Sequence, residues 1–197
     1  MASLAEIRGN LGSRITKPMV AVLSKSGLKP NVLTFVGLVI NISAAYLVAI
    51  NHFFLGGVLV LVSGLFDLLD GALARFTKQT TKFGAILDST VDRISEAAIF
   101  CGLLVWYIQK GATLEIVLIF AVLVGSFLVS YIRARAEGLG LECRVGLFTR
   151  AERVIVLAIG LLLNQVSIAL WVLAVFVYIT VGQRLLYLWK QARVKGN

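Results

Sequence analysis

Residues 67–92 read DLLDGALARFTKQTTKFGAILDSTVD, and the reading of this stretch decides the fold. It holds four carboxylates, Asp67, Asp70, Asp88 and Asp92, out of ten acidic residues in the chain. Each pair stands where one apolar segment gives way to the next. A carboxylate close to hydrocarbon is costly unless a cation or hydrogen bonds compensate it. Asp67 and Asp70 are spaced i,i+3, and Asp88 and Asp92 i,i+4, so on helices each pair shares one face. Gly71 and Ala74 continue the first face, and Gly84 lies one turn before Asp88. These small residues let a backbone or a ligand approach closely. Two helices packed antiparallel across the turn at 77–82 bring all four acids together. Hard cations such as Mg²⁺ or Mn²⁺ take oxygen ligands and bind through carboxylates together with substrate phosphates. Helix caps and surface salt bridges with Arg75, Lys78, Lys82 and Arg93 are the plainer alternative. Capping does not require both members of both pairs to face one way.

The surrounding chain is strongly apolar: 59% of its 197 residues are hydrophobic, and its mean hydropathy is +0.92. That composition excludes disorder and argues against a water-soluble domain. Runs of about 20 apolar residues, enough to cross about 30 Å of hydrocarbon, recur along it. The formal charge of +9 would suggest nucleic acid on a soluble protein, but its distribution points elsewhere. Lys and Arg gather at 8–29, 75–93, 133–153 and 184–195, while the turns near 51–52, 109–112 and 164–167 carry only Lys110. This alternation is the positive-inside pattern, and no nucleic-acid partner is expected.

The sequence therefore predicts an all-α integral membrane protein of six transmembrane helices preceded by an interfacial amphipathic helix. The predicted spans are 32–50, 53–75, 83–108, 113–136, 150–163 and 167–189. The amphipathic helix covers 3–24, with Leu4, Ile7, Leu11, Ile15 and Met19 on its apolar face. We expect a single domain over 1–197, with 1–30 as the interfacial segment and 31–190 as the six-helix bundle. The expected location is the cell membrane, multi-pass, with both termini and the acid site on the cytosolic face. Asn31 is read as a cap for the first span, and Thr149 with Glu152 as a capping box for the fifth. Cys101 and Cys143 are isolated and His52, the only histidine, falls far from the acids, so a disulfide and a histidine-based site are not expected. The first 30 residues lack the long apolar core and small-residue cleavage site of a secretory signal.

The string Asp67-x2-Asp70-Gly71-x2-Ala74-Arg75-x8-Gly84-x3-Asp88-x3-Asp92 resembles the signature of the CDP-alcohol phosphatidyltransferases, and Pro30, Asn31 and Thr34 match that family's Pro-Asn-x-x-Thr opening. The resemblance implies six membrane helices after an interfacial helix, usually as a homodimer, and displacement of CMP from a CDP-linked lipid by an alcohol. It implies Asp67, Asp70 and Asp88 as main ligands of two Mg²⁺ or Mn²⁺ ions. Asp92 would be the catalytic base and would also approach the metals. Pro30, Asn31, Thr34, Asp67, Gly71, Ala74, Arg75 and Gly84 would form the CDP-lipid side. The runs at 131–137 and 149–153 resemble the branch that makes phosphatidylinositol phosphate from inositol 1-phosphate, or archaetidylinositol phosphate in archaea. Its donors would be CDP-diacylglycerol or CDP-archaeol, and Arg133, Arg153 and Arg184 would hold the acceptor's phosphate. Glycerol 3-phosphate as acceptor stays open, since it too carries a phosphomonoester. A small membrane metal transporter is the alternative of another class. It would need polar residues continuing across the spans, and apart from Asn41 and Glu115 few are found.

Overall fold

The structure, a computed structural model, describes residues 18–24, 27–143 and 145–195. A short helix α1 occupies 18–24. Six more follow: α2 (Pro30–Ala49), α3 (Phe53–Phe76), α4 (Lys82–Gln109), α5 (Thr113–Gly138), α6 (Arg150–Leu162) and α7 (Val166–Lys195). No strand occurs among the described residues. Most of the expected amphipathic helix, residues 3–17, lies outside the described residues, as does Arg144. The described end of it is helical, and Val20 is buried against Leu33, Leu69 and Leu73.

The expectation of six membrane spans after an amphipathic helix is corrected by the helices themselves. Only four among the described residues are long and apolar enough to cross a membrane: Pro30–Ala49, Phe53–Phe76, Thr113–Gly138 and Val166–Arg193. Helix α4 is long, but Asp88, Asp92, Arg93 and Glu96 all fall within its first 15 residues, which a lipid-crossing segment tolerates poorly. Helix α6 has 13 residues, about 20 Å at 1.5 Å per residue, short of a core about 30 Å thick. The chain is a multi-pass membrane protein in which α4 and α6 complete the bundle beside four apolar helices.

Local chemistry sets the helix ends. Pro30 opens α2 after the extended Lys29, where its missing N–H costs nothing. Asn31 therefore sits inside the first turn and is not the cap. Thr81 accepts a hydrogen bond from the Gly84 N–H at 2.9 Å and so caps α4. Glu152 accepts from the Thr149 N–H at 2.8 Å at the start of α6.

One buried cluster joins α2 through α7, with Val48, Leu103, Ile119, Val122, Leu161 and Leu173 at its centre. The far end of α4 returns to the beginning of α3, where Trp106 meets Phe53 edge-on at 4.7 Å between ring centroids. Gly102 makes the α2–α4 contact possible, because a Cβ there would lie 2.3 Å from the Ala45 carbonyl oxygen. Asn41 faces protein as expected, donating to Ser63 Oγ at 3.2 Å. Val39, Phe54, Phe120 and Ile168 are exposed, as helices bathed in lipid chains require.

Candidate active site

The end of α3 and the start of α4 bring the acids together. One carboxylate oxygen from each of Asp67, Asp70 and Asp88 lies within 4.8 Å of the other two. Asp70 is 3% exposed and accepts a hydrogen bond from Thr34 Oγ1 at 2.5 Å, which ties the opening of α2 to the acid cluster. Asp92 is not one of the convergent three, but it lies close enough to Asp67 to share a hydrogen bond with it. Its Oδ1 is 2.8 Å from Arg150 Nη2, and Arg150 Nη1 donates to Asp67 Oδ2 at 2.5 Å. Burial is the largest influence on the Asp92 carboxyl and raises it above its ordinary value; Arg150 opposes that shift, and the charge and hydrogen bond of Asp67 and the charge of Asp88 add to it.

Beside the cluster opens a cavity of about 170 Å³. Seven of the eight residues expected on the CDP-lipid side line it: Pro30, Asn31, Thr34, Gly71, Ala74, Arg75 and Gly84. Asp70 and Asp88 form its inner wall. Asp67, the eighth, borders a smaller space behind it with Asp92 and Arg150. The floor at Gly71 is close: a Cβ there would come within 3.4 Å of the Arg75 guanidinium. A basic side chain and small residues around an open volume, beside acids able to share a cation with phosphates, suit a polyanionic ligand.

The three arginines expected to hold an acceptor are differently disposed. Arg133 is exposed and donates to Glu137 at 2.8 Å, one turn along α5. Arg153 is 3% exposed and uses Nε and Nη2 on Glu96, at 2.7 and 3.0 Å. Arg93 also reaches Glu96, at 2.7 Å. Arg184 is 4% exposed and donates to the carbonyls of Val145, at 3.0 Å, and Val129. Arg133 and Arg153 are near enough to Arg184 to repel its charge. The three thus gather in one region, and each is already engaged by the protein, Arg133 by an exposed partner and the other two by buried ones. Burial would raise the Glu96 carboxyl, but the hydrogen bonds and charge of Arg153, with Arg93, hold it below its ordinary value.

Two residues of this arrangement, Arg150 and Glu96, were not singled out as site residues by sequence. The available signal was a pair of matching spacings. Asp92 and Glu96 are i,i+4 on α4, and Arg150 and Arg153 are i,i+3 on α6, so two acid–arginine rungs join the helices.

A model of the CDP-alcohol phosphatidyltransferase family matches residues 28–186. The chain belongs to this family. Among relatives of this phosphatidyltransferase, the phosphatidylinositol phosphate synthase of Mycobacteroides abscessus is 37% identical over 182 residues, covering 88% of this chain and 83% of its own. The archaetidylinositol phosphate synthase of Pyrococcus horikoshii is 39% identical over 163 residues, covering 82% and 84%. The crystal structure of Mycobacterium tuberculosis phosphatidylinositol phosphate synthase with CDP-DAG bound superposes with a TM-score of 0.81 at 38% identity, over 89% of this chain and 94% of that one. The same enzyme in complex with manganese and citrate gives a TM-score of 0.80 over 88% of each chain.

The residues present in this phosphatidyltransferase fit a divalent cation. Three hard oxygen donors converge within 4.8 Å, the donor type that a hard divalent cation takes. Histidine and cysteine take no part in the cluster, which favours Mg²⁺ or Mn²⁺ over softer metals.

Proposed function

We propose that this phosphatidyltransferase moves the phosphatidyl (diradylglycerol phosphate) group of a CDP-linked lipid to inositol 1-phosphate, releasing CMP and giving phosphatidylinositol phosphate. The observation that carries the reading is the continuity between the three-acid cluster and the cavity lined by Asn31, Arg75 and Gly84. The resemblance to synthases of phosphatidylinositol phosphate and archaetidylinositol phosphate supports the acceptor, with CDP-diacylglycerol or CDP-archaeol as donor.

In this reading Arg75 and the small residues Gly71, Ala74 and Gly84 seat the CDP portion. Thr34 fixes Asp70 through its hydrogen bond. Asp67, Asp70 and Asp88, with Asp92 at their edge, would hold two ions, Mg²⁺ or Mn²⁺, which would supply charge neutralisation for the pyrophosphate. An inositol hydroxyl attacks the phosphorus that carries the diradylglycerol, and the bond from that phosphorus to the CMP oxygen breaks. Asp92 takes the hydroxyl proton, so CMP leaves with the electron pair and the new phosphodiester stays in the membrane. Arg133, Arg153 and Arg184 hold the acceptor's phosphomonoester. The site and both termini face the cytosol, a reading supported by Arg75, Lys78 and Lys82 around the α3–α4 turn.

The test is transfer by the purified protein. CDP-diacylglycerol with Mg²⁺ or Mn²⁺ is supplied with inositol 1-phosphate, glycerol 3-phosphate, serine or free inositol in separate reactions. CMP release and a new lipid with inositol 1-phosphate alone is the expected result. Equal or better turnover with glycerol 3-phosphate would move the assignment to phosphatidylglycerol phosphate synthesis.

A further inference from the structure

We infer that Arg150 is an internal competitor for the second divalent cation: its guanidinium bridges Asp67 and Asp92 and must release them before a second ion can take both. The inference rests on the metal reading above and adds a residue of this chain that sets how the metals load.

The geometry is specific to a fork-shaped cation. Arg150 opens α6, yet it turns away from its own helix. One arm donates to Asp67 Oδ2 at 2.5 Å, on α3. The other lies 2.8 Å from Asp92 Oδ1, on α4. A planar guanidinium spans two such acids at once, which a point charge on a flexible stem does less well. The arrangement divides the acids. Asp67, Asp70 and Asp88 converge as one group, while Asp92, beside Asp67, has its Oδ1 occupied by Arg150. A first cation needs only the convergent three. A second that uses Asp92 and the outer oxygen of Asp67 needs the oxygens that Arg150 holds.

The seat of Arg150 is also incomplete. Its Nε is buried without a hydrogen-bond partner, so leaving the seat forfeits less than a fully bonded arginine would lose. Beside it is a cavity of about 30 Å³ lined by Asn41, Ser95, Glu96 and Arg153. Asn41 Oδ1 is likewise buried and unpartnered. This acceptor offers one arm of the displaced guanidinium a hydrogen bond, close to the negative charge of Glu96 that Arg153 and Arg93 already share.

The experiment is a Mn²⁺ titration followed by electron paramagnetic resonance, on the wild-type protein in detergent and on Arg150→Gln and Arg150→Lys. Wild type should bind one ion tightly and a second at least about tenfold more weakly, and Arg150→Gln should tighten the second by about the same factor. Arg150→Lys keeps the charge but loses the fork, so its second site should behave more like that of the Gln variant than like wild type. Two equally tight ions in wild type would overturn the inference, and that arm does not depend on how either variant folds. An unchanged or weaker second site in Arg150→Gln would also overturn it, as would a Lys variant identical to wild type, which would show that charge alone suffices. Absence of Mn²⁺ binding by all three proteins would remove the metal reading and the inference together, whereas normal binding with no effect of Arg150 removes only the inference.

Discussion

Thr34 and Asp70, 36 residues apart in sequence, share a buried hydrogen bond of 2.5 Å between the opening of α2 and the C-terminal part of α3. The bond orients a carboxylate that forms both the cavity wall and the acid cluster. Thr34→Val keeps the shape and removes the donor. A hydrogen bond to a charged group is worth about 1.5–3 kcal/mol, and partners behind metal ligands commonly change affinity by about 10–100-fold. The variant should fold, melt at a lower temperature and bind Mn²⁺ at least about tenfold more weakly. Thermal unfolding and Mn²⁺ titration on one preparation check both, and wild-type affinity would separate Thr34 from the metal site.

Asp92→Asn tests the base. It keeps the size and one coordinating oxygen but removes the proton acceptor, and general-base assistance is typically worth about 10²–10⁴-fold. Turnover should drop by at least about 100-fold with little change in CDP-lipid affinity. Single-turnover transfer and calorimetry on the same sample separate the base from a ligand. Recovery of turnover in excess metal would make Asp92 chiefly a ligand.

The pair of Glu96 and Arg153 makes a joint prediction. Arg153→Gln should raise the KM for the acceptor strongly and that for CDP-lipid little. It also leaves Glu96 buried beside Arg93 alone, and breaking a buried pair from one side costs about 3–5 kcal/mol. The double variant Glu96→Gln/Arg153→Gln should therefore be less destabilised than the sum of the single changes. Because the folded Glu96 carboxyl titrates below its ordinary value of 4.5, its stabilisation is complete above that value and is lost as the pH falls through the depressed one. Wild type should lose stability there, and Glu96→Gln should show a flatter acid limb in thermal unfolding.

Gly102→Ala should weaken the bundle without touching the chemistry. The added Cβ meets the Ala45 carbonyl oxygen at 2.3 Å, a backbone atom that cannot rotate away. Overpacking of this kind typically costs about 1–3 kcal/mol. A lower melting temperature with wild-type substrate KM values is expected, and an unchanged melting temperature would mean that α2 and α4 separate freely.

A cysteine placed at Gln79, in the α3–α4 turn, reports on sidedness. It should react with a membrane-impermeant reagent only after the cytosolic face is opened. Reaction in intact cells would put the acid cluster on the other face.

The acid cluster and its cavity were legible because helical spacing is a strong constraint. Once Asp67, Asp70 and Asp88 lie on helices joined by a short turn, little freedom remains in where they meet. The reading of α4 and α6 as spans failed for reasons that apolar periodicity conceals. Window averages dilute the five charges of α4, and the apolar run of α6 is shorter than hydrocarbon is thick. Arg150 was hidden by its position, since a basic residue at a helix start looks like any topology signal. Its choice of Asp67 over Glu152 depends on the capping box: Glu152 already receives the Thr149 N–H and hydroxyl. Such commitments are made in three dimensions, between residues 83 apart in the chain.

Biosynthesis gives the ladder between α4 and α6 another meaning. Arg153 is made 57 residues after Glu96, so the acids of α4 leave the ribosome before the α6 arginines exist. During that interval Arg93, three residues before Glu96, is the cation nearest to hand, and α4 is consolidated only when α6 docks. A chain that stops before residue 150 carries its acids without those partners. Its carboxylates then stand without the arginines that pair them, whereas the complete chain covers the same charges with its own late-arriving helix.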